Sequence, residues 1–322
     1  MSSSQTMNQD MTQTMTQTVT QTMTMTQTMT QTMTQTTTQT TTQMTTSTLI
    51  LGGGFTGVAL IRSLVAMGAP VTATSTSAAG ARALTALGAN GVVWRAPAPG
   101  TETVALPTDA DRVVILFPPK DTDSRALASA LLRTEGAAPR RIAYCSSTSV
   151  YGDREGGEVT EATTTSPDSP WGKQRVDAED LYRAAGAVIV RAAGIYGPGR
   201  NIIERHRAGQ MRNAGDPSRR VNLIHVDDLA ALLLTALERG IPGERLIAAT
   251  GAPVEWQAMA SIAVARTGLP LPPESPVPAD PNMASFYKES KWCRPTAFER
   301  LGFTLRYPDS LAALTDMPLI DS

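Results

Sequence analysis

The chain of 322 residues contains few of the residues that build metal centres or covalent scaffolds, since it has only two cysteines and two histidines. Cys145 and Cys293 are too few for a disulfide framework and lack the spacing of a metal site, so we expect no metal. Long apolar runs are also lacking. The stretch 229–237 lies between Asp228 and Glu238 and is much shorter than the roughly 20 residues that span a bilayer.

Net charge is nearly absent as well, because 28 Lys and Arg stand against 29 Asp and Glu. Such a balance provides no basic surface for nucleic acid or for an anionic membrane. No Lys or Arg precedes Arg62, which argues against a signal or transit peptide. We therefore expect a soluble, cytoplasmic protein whose partner is a small-molecule substrate, with no nucleic acid and no membrane bound.

Residues 1–47 differ in composition from the rest of the chain. They hold 21 Thr, 10 Gln and 9 of the 14 Met, and Asp10 is their only charged residue. Such a segment cannot bury enough apolar surface to offset an ordering cost of ~1–2 kcal/mol per residue, which predicts a disordered tail. The alternation of Thr with Gln or Met over 12–36 is also typical of a β-prone segment that pairs with copies of itself. Met44, just before the first predicted strand, is an alternative start of translation.

A strand, a glycine-rich turn and a helix follow the tail. Residues 48–51 are a short apolar strand, residues 52–57 read GGGFTG and fit G-x-G-x-x-G, and apolar residues then recur at helical spacing up to Gly68. A second strand is predicted at 71–74. In this context the glycine motif becomes a dinucleotide fingerprint.

Each residue of the motif has a physical role in holding a dinucleotide. Gly52 permits the tight turn, Gly54 lets a pyrophosphate approach the backbone, and Gly57 packs the helix on the strand. Phe55 and Thr56 belong to the first turn of the helix, whose partial positive charge would face the phosphates. We therefore predict that these five residues bind NAD or NADP.

The end of the second strand bears on the choice of cofactor. A motif for NAD normally has Asp or Glu here for the ribose 2′-hydroxyl, but this chain has Ser75, Thr76 and Ser77, with Arg82 further on. The hydroxyl of Ser75 and the guanidinium of Arg82 would accept a 2′-phosphate, which favours NADP. An equally good interpretation is that these hydroxyls only cap the next helix.

Strand and helix patterns alternate through the remaining chain, which predicts a doubly wound parallel α/β sheet of the Rossmann type. The run 112–119 is apolar throughout, as in a strand buried on both faces, and a helix is predicted over 124–133 with its end near Gly136. Further strands are predicted at 141–145 and near 188–192.

Three later segments, in this order, complete a family resemblance. They are SSTSVYG at 146–152, AAGIYGPG at 192–199 and IHVDDLA at 224–230. Together with the glycine loop, they resemble the extended short-chain dehydrogenase/reductase superfamily, in its NAD-dependent epimerase/dehydratase branch. The likeness covers about residues 48–311, and its end at 301–308 looks like that family's C-terminal helix and strand.

The resemblance implies one NAD(P)-binding domain over 48–318. Within it, about 200–219 and 252–308 would form the smaller substrate lobe. Phe117 and Pro118, after the third apolar strand, would lie beside the cofactor. Homodimers are common in the family, so a homodimer is expected by analogy.

The catalytic positions implied by the resemblance are only partly preserved. Ser147 stands where the family has the Ser that orients the substrate oxygen. The Tyr-x-x-x-Lys pair falls on Trp171 and Arg175. An indole does not release its proton at accessible pH and a guanidinium stays protonated, so the usual proton relay is absent. Trp171 is then either an aromatic wall of the site or a packing residue, and Arg175 would still hold the cofactor ribose.

Other residues could supply the proton, and none is preferred. Tyr151 belongs to the V-Y-G turn, Tyr196 follows a strand end, His225 is as well suited to a helix cap, Lys173 points away from Trp171, and Cys145 is expected inside the sheet. Water or an acidic substrate would serve equally well.

Two features of the substrate lobe remain open to interpretation. The basic segment 200–219 indicates either an anionic substrate group or a solvated charged loop. The Pro-rich run 269–281 is either a loop over the site or a surface excursion. A helix over 255–267 is expected to bury Trp256, Met259, Ile262 and Ala263.

These observations predict an NAD(P)-dependent oxidoreductase or epimerase that acts on a small molecule by hydride transfer through an atypical active site. A nucleotide-sensing protein without turnover is the alternative. A lyase or isomerase with structurally bound nucleotide is a further one.

Overall fold

The computed structural model describes residues 21–31, 46–132 and 140–319. The chain divides into two units, Met1–Thr46 and Ser47–Ser322, which are described separately. In the first, residues 21–31 form an exposed helix, α1. The hydroxyls of Thr26, Thr28 and Thr30 donate to carbonyl groups four residues earlier, at 2.8–2.9 Å. Neither interpretation of the tail predicted this helix, and the disorder predicted for its other residues falls outside the described part.

The second unit alternates strands and helices from its first residue onward. Its strands are β1 Thr48–Leu51, β2 Val71–Ser75, β3 Asn90–Val93, β4 Arg112–Ile115, β5 Arg141–Ser147, β6 Glu158–Val159, β7 Val188–Ala192, β8 Gly194–Tyr196, β9 Arg220–Val221, β10 Leu223–His225, β11 Arg245–Ala248, β12 Val254–Glu255 and β13 Trp292–Cys293. Its helices are α2 Phe55–Ala66, α3 Ala78–Ala86, α4 Ser124–Leu131, α5 Pro170–Ala184, α6 Ile202–Arg207, α7 Val226–Arg239, α8 Trp256–Thr267, α9 Pro281–Lys288, α10 Phe298–Leu301 and α11 Ser310–Asp316. A 3-10 turn, Thr148–Tyr151, follows β5.

Seven of these strands form one parallel sheet in the order β11-β7-β5-β4-β1-β2-β3. Strand order reverses between β1 and β4, so the carboxyl ends of these two strands flank a crevice where such sheets bind ligands. This sheet, with helices on both faces, confirms the predicted doubly wound Rossmann-type fold.

The central strand β1 shows why the sheet is covered on both faces. All four of its residues are buried. Ile50 belongs to an apolar cluster that includes Leu64 of α2, whereas Leu49 and Leu51 belong to another that includes Leu127 of α4. Because successive side chains of a strand point to opposite faces, this short apolar run needs a helix layer on each side.

The remaining strands form small pairs beside the main sheet. β10 pairs with β8, β12 with β9, and β13 with β6. Helix α8 packs as predicted through Trp256, Met259 and Ala263, but Ile262 is only partly buried. Within the described part of the chain, no helix is long and apolar enough to cross a membrane.

Two predictions about secondary structure differ from the structure. Helix α4 ends at Leu131, two residues before the predicted end, and its expected terminator Gly136 lies outside the described residues. The strand expected near residues 303–308 is not formed. There the carboxylate of Asp228 accepts hydrogen bonds from the backbone amides of Arg306 and Tyr307, at 2.8 and 3.0 Å. These amides are thus satisfied without a partner strand.

Candidate cofactor and active site

The glycine loop lies between β1 and α2 and is held by β2. Gly52 has φ of +112°, a conformation that favours glycine. Its amide donates to the Thr74 hydroxyl at 3.0 Å, and the Gly53 amide donates to the Thr74 carbonyl at 2.8 Å. A Cβ on Gly57 would lie 2.4 Å from the Gly52 carbonyl oxygen. The tight turn and the close packing of helix on strand are therefore both present, as the motif predicts.

Gly54 differs from its neighbours because a Cβ there would meet no atom within 4 Å. Gly54 is also the N-cap of α2, and no side chain caps this helix end. The first amides of α2 thus carry their partial positive charge toward open space. A dinucleotide phosphate fits this arrangement, because the backbone supplies donors and the missing side chain leaves room.

A cavity of about 430 Å³ opens beside this loop. Five of the predicted cofactor residues line it, namely Gly52, Gly54, Ser75, Phe117 and Pro118. Gly53 of the same motif and Thr76 beside Ser75 line it as well, and the sequence did not point to the remaining five, namely Thr74, Trp94, Ala96, Lys120 and Thr122. Trp94 and Phe117 contact each other with ring centroids 6.4 Å apart. The cavity therefore joins the ends of β1, β2, β3 and β4.

The remaining predicted cofactor residues lie beside or outside this cavity. Thr56 and Gly57 are buried beneath the loop. Phe55 packs near the Gly197 turn, and the Arg200 guanidinium carbon lies 5.4 Å from its ring centroid. Arg82 is exposed on α3 and is not among the residues that line the cavity.

The hydroxyl groups after β2 are divided between two roles. Ser77 caps α3, because its side chain accepts from the Gly80 amide at 3.1 Å. Ser75 accepts from the Ser77 amide at 3.3 Å and still lines the cavity, as does Thr76. The helix-cap interpretation is thus correct for Ser77, while the other two hydroxyls face the space where a ribose would lie.

Trp171 and Arg175 lie one helical turn apart on α5. The backbone amide of Trp171 donates to the Asn282 side-chain oxygen of α9 at 2.9 Å, and the indole is 37% exposed. Lys120 Nζ lies 6.0 Å from the indole centroid, which connects the cofactor cavity to this residue. The ring is therefore a partly open wall and not part of the packed core.

Ser147 is the last residue of β5, and the charge of Arg175 acts on Cys145 near the same end of this strand. Burial raises the pKa of the Cys145 thiol to about 11, and the charge of Arg175 partly opposes this rise. The guanidinium thus lies within electrostatic reach of β5. The Ser147 hydroxyl accepts from the Ser149 amide at 3.2 Å, so it also caps the 3-10 turn. As a hydroxyl it retains a proton to donate.

A buried polar network lies behind these residues and was not anticipated. Glu179 accepts from the Ser146 hydroxyl at 2.6 Å and pairs with Arg191 at 2.7 Å. Arg191 also donates to the Tyr151 hydroxyl at 3.0 Å. The network joins β5, α5, β7 and the V-Y-G turn through charge-assisted hydrogen bonds, which orient α5 against the sheet.

Four of the other candidate proton donors are buried, whereas Lys173 is exposed on α5. The Tyr151 hydroxyl donates to the Thr160 carbonyl, and burial raises the pKa of Tyr151 to about 12. Burial likewise raises the pKa of Tyr196. His225 is buried, its Nδ1 accepts from the Asp227 amide at 3.2 Å, and burial lowers its pKa. Cys145 is buried in the sheet. None of the four buried groups is a ready proton donor near neutral pH.

Two of the basic residues of segment 200–219 are engaged by neighbouring side chains. Arg207 pairs with Glu204 at 3.3 Å. Arg219 is buried, with its guanidinium carbon 5.1 Å from the Trp256 ring centroid and 5.7 Å from that of Tyr287. Arg207 is thus neutralised by Glu204, and Arg219 is packed among aromatic rings, so the contacts of these two residues do not support an anion site, and Arg219 is not part of a solvated loop.

The Pro-rich run accepts hydrogen bonds from side chains of segment 200–219. His206 donates to the Pro270 carbonyl at 3.0 Å and Asn213 to the Pro272 carbonyl at 3.1 Å. The run thus packs against residues 206–213 and leads into α9, and whether it covers the site stays open between the two interpretations. In the described ranges, no cluster of three or more His, Cys, Asp or Glu residues is placed to hold a metal ion.

Comparisons with known proteins agree with this geometry. Residues 123–249 match the NAD dependent epimerase/dehydratase family. Protein YeeZ of Escherichia coli (strain K12) is 31% identical over 286 residues, which cover 84% of this chain and 98% of the relative.

Solved structures show the same fold. A conserved protein of unknown function from Silicibacter pomeroyi DSS is 30% identical, with a TM-score of 0.69, and the match covers 84% of this chain and 97% of that one. The dTDP-glucose 4,6-dehydratase DesIV of Streptomyces venezuelae, solved with NAD and TYD bound, is 17% identical with a TM-score of 0.67, covering 84% and 95%. With its glycine-rich loop, its parallel sheet and this likeness over most of its length, the chain belongs to the NAD dependent epimerase/dehydratase family.

Proposed function

We propose that the protein is an NAD(P)-dependent oxidoreductase or epimerase that acts on a small molecule by hydride transfer. The observation that carries this proposal is the open space at Gly54, at the uncapped start of α2. It adjoins a cavity lined by Lys120, whose Nζ lies 6.0 Å from the ring centroid of Trp171, so the glycine loop lies near the predicted active site. The bound cofactor would accept or supply the hydride.

The residues of the chain would divide the remaining work. The amides at the start of α2 would bind the pyrophosphate. Arg175 would hold ribose hydroxyls with a charge that does not depend on pH. Ser147 would donate its hydroxyl to the substrate oxygen, and the exposed face of Trp171 would exclude water from one side of the reacting group.

NADP is the cofactor we favour. Ser75 and Thr76 lie in the lining of the cavity, and no Asp or Glu is among its described lining residues. A carboxylate at this place would repel a 2′-phosphate, whereas hydroxyl groups would contribute hydrogen bonds to it. We propose a small-molecule substrate. The homodimer and the cytoplasmic location stay predictions.

Calorimetric titration of the full chain with NADPH and with NADH tests the proposal. We expect saturable binding of at least one, and a loss of that binding in Gly54→Val, whose side chain would fill the open space. A distant glycine such as Gly268, at the C-cap of α8, would be a poor control. Its φ of +69° means that valine would strain the backbone there regardless of cofactor binding. Ala66→Val, in the last turn of α2, is the matched control and should bind normally. Binding of neither dinucleotide would exclude the oxidoreductase.

A second candidate is a nucleotide-sensing protein without turnover. The observation that favours it is the engagement of Tyr151 and His225 in structural hydrogen bonds, beside a Trp171 and Arg175 that do not release protons. Under this proposal the double substitution Trp171→Tyr with Arg175→Lys would bind cofactor but gain no reductase activity on a panel of carbonyl compounds. A lyase or isomerase with structurally bound nucleotide predicts turnover with no net change in the absorbance of the nicotinamide.

A further inference from the structure

We propose that Lys120 selects a dinucleotide carrying a 2′-phosphate, a role that the sequence suggested for Arg82. This inference rests on the proposed binding of NAD(P). Lys120 follows β4 and lines the same cavity as Ser75 and Thr76, which lie at the end of β2 where the adenosine ribose would lie. Arg82 is exposed on α3 outside that lining.

The charge of the cavity wall supports this assignment. The described lining consists of glycines, hydroxyl residues, Trp94, Ala96, Phe117 and Pro118, with Lys120 as its one charged member. A 2′-phosphate adds a doubly charged group, and a neutral wall of hydroxyls would not compensate for its lost hydration. An ammonium with three donors provides both the charge and the hydrogen bonds.

The loop that carries Lys120 is built to hold its position. The next residue, Asp121, has φ of +57°, which is uncommon for a residue with a side chain. The Thr122 amide donates to the Pro119 carbonyl at 3.1 Å and closes the turn. Strain of this kind persists where the surroundings hold it in place and is common at ligand sites.

Asp123 anchors the other side of the same loop. Its carboxylate accepts from the Ala126 amide at 2.9 Å and from the Gly100 amide at 3.0 Å, and its own amide donates to the Pro97 carbonyl at 2.7 Å. The backbone beside Lys120 is therefore fixed, while its exposed four-carbon side chain can move.

The ammonium group of Lys120 contacts the Trp171 ring. Lys120 Nζ lies over the indole at 6.0 Å from its centroid, a distance at which the attraction is weak when exposed. A doubly charged phosphate attracts the ammonium more strongly, because both partners of the hydrogen bond are ionised. Binding of the 2′-phosphate would therefore draw Lys120 from the ring toward Ser75 and Thr76.

The test compares Kd values for NADPH and NADH in three variants of the full chain. Lys120→Met removes the charge and keeps the length of the side chain. We expect it to weaken NADPH binding about 10- to 100-fold, the value of one charge-assisted hydrogen bond, and to change NADH binding less than about 2-fold. Lys120→Arg should keep the preference for NADPH. Arg82→Met is the matched control and should leave both Kd values unchanged.

The other outcomes separate this inference from the proposed function. An equal loss of NADPH and NADH binding in Lys120→Met would overturn it, since Lys120 would then contact the pyrophosphate common to both. So would a loss of NADPH binding in Arg82→Met alone, or a wild-type preference for NADH. In all three cases the protein still binds a nicotinamide dinucleotide. Only a wild-type chain that binds neither would remove the proposed function as well. Unchanged thermal unfolding of each variant confirms that the fold is intact.

Discussion

Glu179 and Arg191 form an ion pair of 2.7 Å in which both side chains are only 2% exposed. Arg191 lies on β7 and Glu179 on α5, two turns beyond Trp171. A buried pair of this kind is strongly destabilised by removal of one partner, because the other charge is left without compensation. The pair therefore controls how firmly the helix that carries the candidate active site is attached to the sheet.

We predict that Arg191→Met lowers the free energy of unfolding by about 3–5 kcal/mol. Urea denaturation measures the change. Arg294 pairs with Glu158 at the same 2.7 Å but on the surface, so Arg294→Met is the matched control. Its effect should be much smaller, because solvent screens an exposed pair. Equal effects of the two substitutions would show that burial of the Arg191 pair has no energetic consequence.

Gly54→Ala and Gly57→Ala should separate cofactor binding from folding. The added methyl group at Gly54 meets no protein atom, so the free energy of unfolding should stay within about 1 kcal/mol while affinity for a dinucleotide falls. At Gly57 the methyl group would lie 2.4 Å from the Gly52 carbonyl oxygen, so both stability and binding should fall. Thermal unfolding with calorimetric titration distinguishes them. Normal binding by Gly54→Ala would mean that the phosphate lies elsewhere.

The stability of the protein should fall as the pH drops below about 6.5. Burial lowers the pKa of His225 from its ordinary 6.5, and its Nδ1 can accept the Asp227 amide only when unprotonated. As the pH falls through 6.5, His225 of the unfolded chain takes up a proton while His225 of the folded chain does not. The contribution of His225 to the free energy of unfolding is therefore greatest above pH 6.5 and declines below it. Arg306 also opposes protonation, whereas Asp227 and Asp228 favour it.

His225→Asn tests this origin of the pH dependence. Asparagine keeps a side-chain acceptor for the Asp227 amide but has no proton to gain. Urea denaturation between pH 5 and 8 should therefore show a shallower decline for the variant than for the wild type. Parallel curves would assign the pH dependence to other groups.

Asp228→Ala should loosen the segment that precedes α11. The carboxylate of Asp228 is buried and holds the amides of Arg306 and Tyr307, so its removal leaves two donors unpaired. We expect a loss of about 1–3 kcal/mol in the free energy of unfolding. Hydrogen exchange should show faster exchange at those two amides. Asp227→Ala, at a neighbouring half-exposed position, is the control and should leave their exchange unchanged.

The glycine loop could be predicted because its constraints are local. Gly52 and Gly57 are required by one turn between a strand and a helix, and periodicity identifies both elements. Lys120 could not be predicted, because its position depends on how the loop after β4 passes the loop after β1. Arg82 was the natural expectation, since it follows the same strand as Ser75, but its side chain is on the exposed face of α3.

For the predicted catalytic residues as well, local features could be predicted and contacts between distant segments could not. Ser147 ends β5, and Trp171 and Arg175 lie on α5, while their catalytic roles stay predictions. The bond from Trp171 to Asn282 could not be read from the pattern, because it joins residues 111 positions apart through a helix in the Pro-rich third. Nor could the pairing of Glu179 with Arg191, which depends on the packing of α5 against β7. The backbone conformation of a turn depends on a few neighbouring residues, whereas side-chain contacts between distant segments depend on the whole fold.

The bond between Trp171 and Asn282 has a consequence for biosynthesis. All seven strands of the main sheet lie before residue 249, whereas α9 begins at Pro281. The β13 partner of β6 and the Asn282 acceptor lie further along the chain than any strand of that sheet. Premature termination between residues 249 and 280 would therefore give a chain that holds the whole sheet but leaves the Trp171 amide without its acceptor.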